Sequence, residues 1–332
     1  MSMISIIIPV FNAEKYIDAC LSALRNLDYP KDQYEIIVAD NGSTDNTLEI
    51  IKCYPVKLFI KPRVTISALR NFGSEKAKGE IFAFIDSDCI APVNWLRKSI
   101  EFLNRPNVGV VGCWYQLPVN TSFIERTWDI HTMLRRSQIG NIDWIPSGNL
   151  IIPKNIFYKI KGFDESLFTS EDVDICQRIH NLGLSVYSHP QLAIIHMGNA
   201  KTLKTFLQKE KWRGEGTIQN FLHDFPHLKW NNAIIFTGIT LLASLGILFG
   251  LCVGIIKGTY TVLFCSLITI FLIPLYLTFK AVIYSKKWQY FLPLAFLFLI
   301  YAFARILSIS NPKMWQVILQ KGKNYNESKK NI

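Results

Sequence analysis

Two aspartates one residue apart follow an apolar run: Ile81-Phe82-Ala83-Phe84-Ile85 leads straight into Asp86-Ser87-Asp88. A buried strand that ends in two carboxylates can deliver both to one hard cation. Mg2+ or Mn2+ with oxygen ligands is the cation that bridges a diphosphate. A solvated turn carries the same triplet equally well, so the triplet alone decides nothing. A second acidic pair, Glu171-Asp172, comes directly after Ser170. An acid at a helix N-terminus, favoured by the dipole, is the plain structural reading of Asp172. Asp174 and Arg178 stand at the spacing of an i,i+4 helical ion pair and read as structural.

The elements that position these residues alternate in type. Ile4–Val10 is a β-branched run that reads as a buried strand ending near Pro9, and residues 12–27 place Ile17, Cys20, Leu21 and Leu24 on one helical stripe. Tyr34–Asp40 is a second buried strand, followed by a polar turn over residues 41–45 and a helix over 47–54. Val56–Ile60, a helix over 66–76 and Glu80–Ile85 continue the pattern. Such alternation predicts an α/β domain with a mostly parallel sheet, in which ligands bind beyond the carboxyl ends of the strands. Three of those ends carry polar clusters: residues 9–12, 40–45 and 86–88. Further on, a helix after Leu96, a strand near 108–115 and an irregular stretch over 116–146 are expected. Strand character returns at 147–152. Ser170 reads as the N-cap of a helix over 171–181 closed by Gly183, and short strands follow at 184–187 and 193–196.

Beyond Trp230 the composition changes. Residues 233–256 carry no charge and match a bilayer in length, as do residues 260–279, where Pro274 marks a kink. Lys257-Gly258-Thr259 joins them as a hairpin. A third segment, 289–309, contains Pro293 and Arg305; three spans are expected, with a re-entrant or interfacial third segment as the other option. The expected organisation is therefore a catalytic domain over 1–200, a basic amphipathic interfacial segment over 201–231, membrane helices within 232–310 and a basic tail over 311–332. The chain has 36 Lys and Arg against 25 Asp and Glu, a net charge of +11. No zinc-finger, helix-turn-helix or RNA-binding motif accompanies that charge, and the basic residues flank the apolar runs. They read as a belt facing membrane lipids rather than a nucleic-acid surface. The seven cysteines form no Cys-x-x-Cys pair and read as reduced thiols, in keeping with a cytosolic domain. Ile4–Val10 is too short and lacks the basic flank of a signal peptide.

Taken in order, Pro9-x-x-Asn12, Val38-Ala39-Asp40-Asn41-Gly42-Ser43-Thr44-Asp45, Ala68-Leu69-Arg70-Asn71-Phe72-Gly73, Asp86-Ser87-Asp88, Gly162-Phe163-Asp164-Glu165 and Ser170-Glu171-Asp172 resemble the family 2 glycosyltransferases of the GT-A fold. The resemblance runs from about Ile4 to His196. It implies that Pro9 and Asn12 line the nucleotide pocket, that Asp40 accepts a hydrogen bond from the base, and that Arg70 helps hold the nucleotide or its phosphates. It further implies that Asp86 sits beside ribose and metal, that Asp88 binds Mg2+ or Mn2+ directly, and that Asp172 is the catalytic base with Glu171 supporting its placement. His196 is either a further metal or diphosphate contact, as in some relatives, or an ordinary surface histidine. Inversion at the anomeric carbon is implied in the same way.

Processive relatives carry Gln-x-x-Arg-Trp where this chain has Lys209 to Gly216, with Trp212 before Arg213 and no Gln. The departure speaks against polymer synthesis. Arg213 either reaches the diphosphate or lies on a basic membrane-surface helix. The expected activity is single transfer from a nucleotide-diphosphate sugar, UDP before GDP, to a lipid-linked or polyprenyl-phosphate acceptor in cell-envelope glycan assembly. Arg126, Arg135 and Arg136 are candidates to attract the acceptor's phosphates. The competing readings are a catalytically inactive nucleotide-sugar-binding scaffold, a processive synthase, and a nucleotidyltransferase. The last usually opens with a glycine-rich phosphate loop, which does not follow Ile8.

Overall fold

The computed structural model describes residues 2–167, 169–223 and 232–311. They divide into two units: residues 2–121 with 132–199, and residues 122–131 with those from 200 onward.

The first unit is built on β1 (Ile4–Val10), α1 (Ile17–Arg25), β2 (Tyr34–Asp40), α2 (Thr47–Lys52), β3 (Lys57–Ile60), α3 (Ile66–Glu75), β4 (Ile81–Ile85), β5 (Cys89–Ile90), α4 (Trp95–Leu103) and β6 (Val108–Gly112). The chain continues through α5 (Phe123–Arg136), whose first part belongs to the second unit, then β7 (Gly140–Asn141), β8 (Asn149–Pro153), α6 (Lys154–Lys159), α7 (Glu171–Asn181), β9 (Ser185–Ser188) and β10 (Ile195–His196). The main sheet runs β3-β2-β1-β4-β8-β6-β9-β7. The first four strands are parallel; β8 pairs antiparallel with both β4 and β6.

Strand β1 explains the layering. Successive side chains point to opposite faces, so Ile4, Ile6 and Ile8 join a cluster with Ile17, Leu21, Leu24, Trp95 and Phe102, while Ile7 joins Phe84, Phe157, Ile175 and Ile179 on the other. Helices therefore cover both faces, and the strands read as continuous apolar runs. Gly73 on α3 lies against Ile7 so closely that a Cβ there would collide with it.

The α/β plan and the mostly parallel sheet match the expectation. The stretch over 116–146 is more regular than expected, for it contains the helix α5. A capping box closes its N-terminus, Glu125 N donating to Ser122 Oγ at 3.2 Å and Ser122 N to Glu125 Oε2 at 2.7 Å, and Trp128 packs on Phe206, Phe298 and Tyr301 within the second unit. Ser170 precedes α7 as expected, but with φ +64° and no side-chain capping bond.

The second unit contains α8 (Leu203–His223), α9 (Asn232–Lys257), α10 (Thr261–Ser285) and α11 (Phe291–Ser308). Ala233–Lys257, Thr261–Ser285 and Trp288–Ser308 are each long and apolar enough to cross a membrane. Leu242, Leu248, Phe249, Ile255 and Phe264 point outward, as lipid-facing residues do. Gly250 and Gly254 let α9 close on Leu263 and Tyr260 of the α10 side. On α8, Phe206, Glu210, Gly214 and Ile218 recur at helical spacing as a buried stripe. Gly214 meets Ser308 and Arg305 of α11. Residues 224–231 and 312–332, including most of the expected basic tail, lie outside the described residues.

Candidate active site

Sheet direction gathers the chemistry at one edge. β1, β2 and β4 end there; β8, running the other way, begins there, with Asn149 opposite Ile85; β6 ends there, with Gly112 opposite Leu150. Every residue discussed below in the first unit lies on a segment leaving or entering that edge, or is brought to it by α3, α7 or the small β5–β10 ladder.

The Asp40 turn braces itself. Asp40 Oδ1 accepts from the Gly42 and Ser43 amides at 2.8 and 2.9 Å, and Oδ2 accepts from Ser43 Oγ at 2.5 Å. Gly42 adopts φ +84°, which favours glycine. Asn12 locks this turn to the end of β1: its Oδ1 accepts from Thr44 N at 2.8 Å and its amide donates to Ser43 Oγ at 2.9 Å. The three residues expected at the nucleotide are placed as follows. Asp40 is 0% exposed, with both oxygens engaged by its own turn. Pro9 is buried in β1 opposite Ala39 and lines no surface. Asn12 is exposed at the rim, as a pocket residue must be.

Arg70 is the centre of the arrangement. It is 2% exposed; Nη1 donates to Glu171 Oε1 and Nη2 to Asp86 Oδ1, both at 2.7 Å. Burial opposes its charge, but the two carboxylates outweigh burial and push its pKa up. Arg70 thus bridges two acidic motifs, at a position where the resemblance implies a nucleotide or phosphate contact. The neighbouring Asn71 holds the Gly162-Phe163-Asp164-Glu165 turn, donating to Phe163 O and Glu165 Oε1 at 2.9 Å. Ser147 Oγ adds a 2.7 Å bond to Glu171 Oε1.

Asp172 follows Glu171 in the first turn of α7 and keeps some exposure. Burial and then the Glu171 charge push its carboxyl up to about 7 from an ordinary 3.8. A carboxylate poised there takes a proton near neutral pH far better than an ordinary aspartate.

Asp88 and His196 form the other end. The pairing of Cys89 with His196 in the β5–β10 ladder sets His196 Nε2 3.4 Å from Asp88 Oδ2. His196 Nδ1 lies 3.0 Å from Asn199 Oδ1, an acceptor, so a proton on Nδ1 would leave Nε2 free to bind a cation beside Asp88. The Tyr115 ring stacks on His196 at 4.6 Å, and its hydroxyl donates to Asp86 Oδ2 at 3.4 Å. Asp88, Cys89 and His196 offer ligand atoms within 4.8 Å of one another. Asp86, expected among the ligands, stands outside that group, turned to Arg70 and Tyr115. Cys89 is fully buried and its thiol is pushed up by burial and then by Asp88, so it stays protonated. What remains is a carboxylate, a hard donor that suits Mg2+ or Mn2+, and an imidazole nitrogen, a borderline donor that favours Mn2+ of the two. Gly198 keeps the space beside Asp88 free, since a Cβ there would strike its carboxylate, and Gly148 does the same beside Asp86.

A continuous chain of contacts therefore runs Asp88, His196, Tyr115, Asp86, Arg70, Glu171, with Asp172 next in sequence. Tyr115, Ser147 and Asn199 went unnoticed in the sequence; the small polar run Ser147-Gly148-Asn149 at a strand start was the available signal. Arg213 lies on α8 in the second unit, where its guanidinium pairs with Glu210.

Known proteins similar to this chain are glycosyltransferases. The sequence model described as Glycosyl transferase family 2 matches residues 5–167. The glycosyltransferase AglE of Haloferax volcanii is 29% identical over 233 residues, covering 68% of this chain and 76% of that protein. A Methanococcus voltae dolichyl N-acetyl-alpha-D-glucosaminyl phosphate 3-beta-D-2,3-diacetamido-2,3-dideoxy-beta-D-glucuronosyltransferase is 37% identical over 112 residues, 32% of this chain and 35% of that protein, so the match spans about a third of it. Among solved structures, the mannosyltransferase PcManGT of Pyrobaculum calidifontis, in complex with GDP-Man and Mn2+, superposes with a TM-score of 0.61 at 17% identity. It covers 93% of this chain and 88% of that one, a likeness of fold.

Proposed function

Because this chain belongs to the family 2 glycosyltransferases, we propose that it moves one sugar, with inversion, from a nucleoside-diphosphate sugar to a lipid-linked acceptor at a membrane. The contact chain from Asp88 to Glu171 is the observation that carries this reading: it joins a cation seat to a proton acceptor along one sheet edge.

Asp88 and His196 would hold a divalent cation, which when bound would supply charge stabilisation to the departing diphosphate. Asn12, at the braced rim, faces the nucleotide. Asp172 accepts the acceptor hydroxyl's proton while that oxygen bonds to the anomeric carbon. The bond from that carbon to the diphosphate breaks with its electron pair on the phosphate oxygen. Arg70 offsets part of the charge on Glu171 and Asp86 and ties their loops together, which lessens their repulsion of the diphosphate, and Glu171 keeps Asp172 basic. In-line attack opposite the leaving group accounts for inversion.

UDP is the first donor nucleotide to test and GDP the second, the latter because the mannosyltransferase above binds GDP-Man. The membrane acceptor is supported by three helices able to span and by a relative named for a dolichyl-phosphate substrate. The catalytic unit faces the cytosol, where nucleotide sugars are made. Lys286 and Lys287 after the α9–α10 hairpin agree with that side.

The test is a donor screen in native membranes, reading metal-dependent release of nucleoside diphosphate. Asp88→Ala and Asp172→Ala abolish transfer, while Asp172→Ala retains donor binding. Loss of donor binding in Asp172→Ala removes it from the base role. Binding without turnover by every donor and lipid fraction favours an inactive scaffold instead.

A further inference from the structure

Two tryptophans and an arginine at the same sheet edge take no part in the machinery above. Trp114 lies just past β6, beside Tyr115, and Trp144 lies in the segment entering β8, three residues before Ser147. Their rings meet edge to face, centroids 4.5 Å apart at 63°. The Arg135 guanidinium, from the last turn of α5, sits 4.7 Å from the Trp114 ring and 5.6 Å from the Trp144 ring. The next residue, Arg136, anchors that turn by donating to Tyr115 O at 2.7 Å. All three members of the cluster are partly exposed.

Resting on the glycosyltransferase reading, we propose that Trp114, Trp144 and Arg135 form an acceptor subsite that takes the sugar of a glycosyl phosphate. A pyranose has an apolar C–H face that lies flat on indole, and a polar rim that stays wet. Large rigid aromatics offer that contact at little entropic cost. Core aromatics in this unit, such as Phe82, Phe84 and Phe157, are buried and serve packing; this pair is left half open where substrates arrive. Arg135 sets a permanent positive charge over the platform, and a stacked guanidinium is the group suited to a neighbouring phosphate. A neutral oligosaccharide would need the rings but not the cation.

The test uses the full chain in detergent, saturated with UDP and Mn2+ so that the donor pocket is filled. N-acetylglucosamine 1-phosphate is then titrated against intrinsic tryptophan fluorescence, beside N-acetylglucosamine and inorganic phosphate. The glycosyl phosphate binds best. Trp144→Ala and Trp114→Ala weaken it about tenfold, and Trp144→Phe restores most of the loss. Arg135→Met removes the preference for the phosphorylated sugar over the neutral one. UDP–Mn2+ affinity stays unchanged in each variant, which also certifies folding. No saturable binding by the wild type, or equal binding by all variants, overturns the subsite. Failure of the wild type to bind either UDP–Mn2+ or GDP–Mn2+ instead overturns the nucleotide-sugar reading, so the two failures are distinct. Repeating the titration with polyprenyl-phosphate-linked N-acetylglucosamine in nanodiscs separates the sources: a lower Kd than for the soluble sugar identifies a lipid-linked occupant, an equal Kd a soluble one.

Discussion

The two units each bury an arginine among carboxylates, and they use it differently. Arg70 bridges Glu171 and Asp86, so its guanidinium is shared between two acids that border a reaction site. Arg305, on the third apolar helix, meets one buried acid, Glu210, at 3.2 Å, and also Thr217 Oγ1 at 2.8 Å and the Tyr301 ring at 4.7 Å. In the first case the cation offsets negative charge at the edge where the proposed donor diphosphate would bind. In the second it is itself the unwelcome charge, made tolerable inside an apolar helix bundle by polar groups from α8. The same side chain is a solution in one unit and a problem solved in the other.

That contrast can be broken most forcefully at Arg70. Arg70→Met leaves the buried Glu171 and the half-buried Asp86 without their cation. We expect a loss of about 3–5 kcal/mol in stability and of about 100-fold or more in transfer, read by thermal melting and donor turnover. Arg70→Lys recovers only part of either, since an ammonium cannot span two carboxylates as a planar fork does.

In the second unit the expected effects are smaller and reversible. Glu210→Gln costs about 1–2 kcal/mol, measured by melting in detergent. Replacing both members, with Glu210→Leu and Arg305→Leu, restores the melting temperature, because a buried pair exchanged for apolar groups is often neutral. Failure of that double change to recover would mean the pair has a function beyond tolerance.

The pH profile sharpens the role of Arg70 further. The kcat/KM of the wild type rises with pH through about 7 as Asp172 ionises. Glu171→Gln removes a negative neighbour and moves this limb to lower pH; Arg70→Met removes a positive one and moves it higher. Stability runs the other way. Asp172 has its pKa raised on folding, so its contribution is full below about 3.8 and is lost as pH rises through about 7. Asp172→Asn therefore melts above the wild type at pH 8 and level with it near pH 4. The smallest effect is at Gly214, where a methyl group would press on Ser308: Gly214→Ala costs about 1 kcal/mol.

Much of the site was legible in the sequence because its motifs are local. Asp86-Ser87-Asp88 needs only a strand before it, and the Asp40 turn is closed by bonds within four residues. What could not be read was partnership across the chain. The ion pair of Arg70 and Glu171 spans 101 positions, and no spacing rule reaches that far. Asp40 looked like a ligand residue for the same reason it makes a good turn: a short acid can satisfy a nearby backbone as readily as a substrate.

The sequence by itself determined the alternation of elements, the apolar helices and the acidic strand end, since each depends on periodicity or composition within a few turns of chain. Tertiary structure alone decided which acids share a cation, which nitrogen of His196 faces Asp88, that residues 122–131 join the helical unit, and that Trp114, Trp144 and Arg135 meet. Those outcomes follow from strand order and direction, which bring distant segments to one edge, and strand order is a property of the packed sheet rather than of any segment in it.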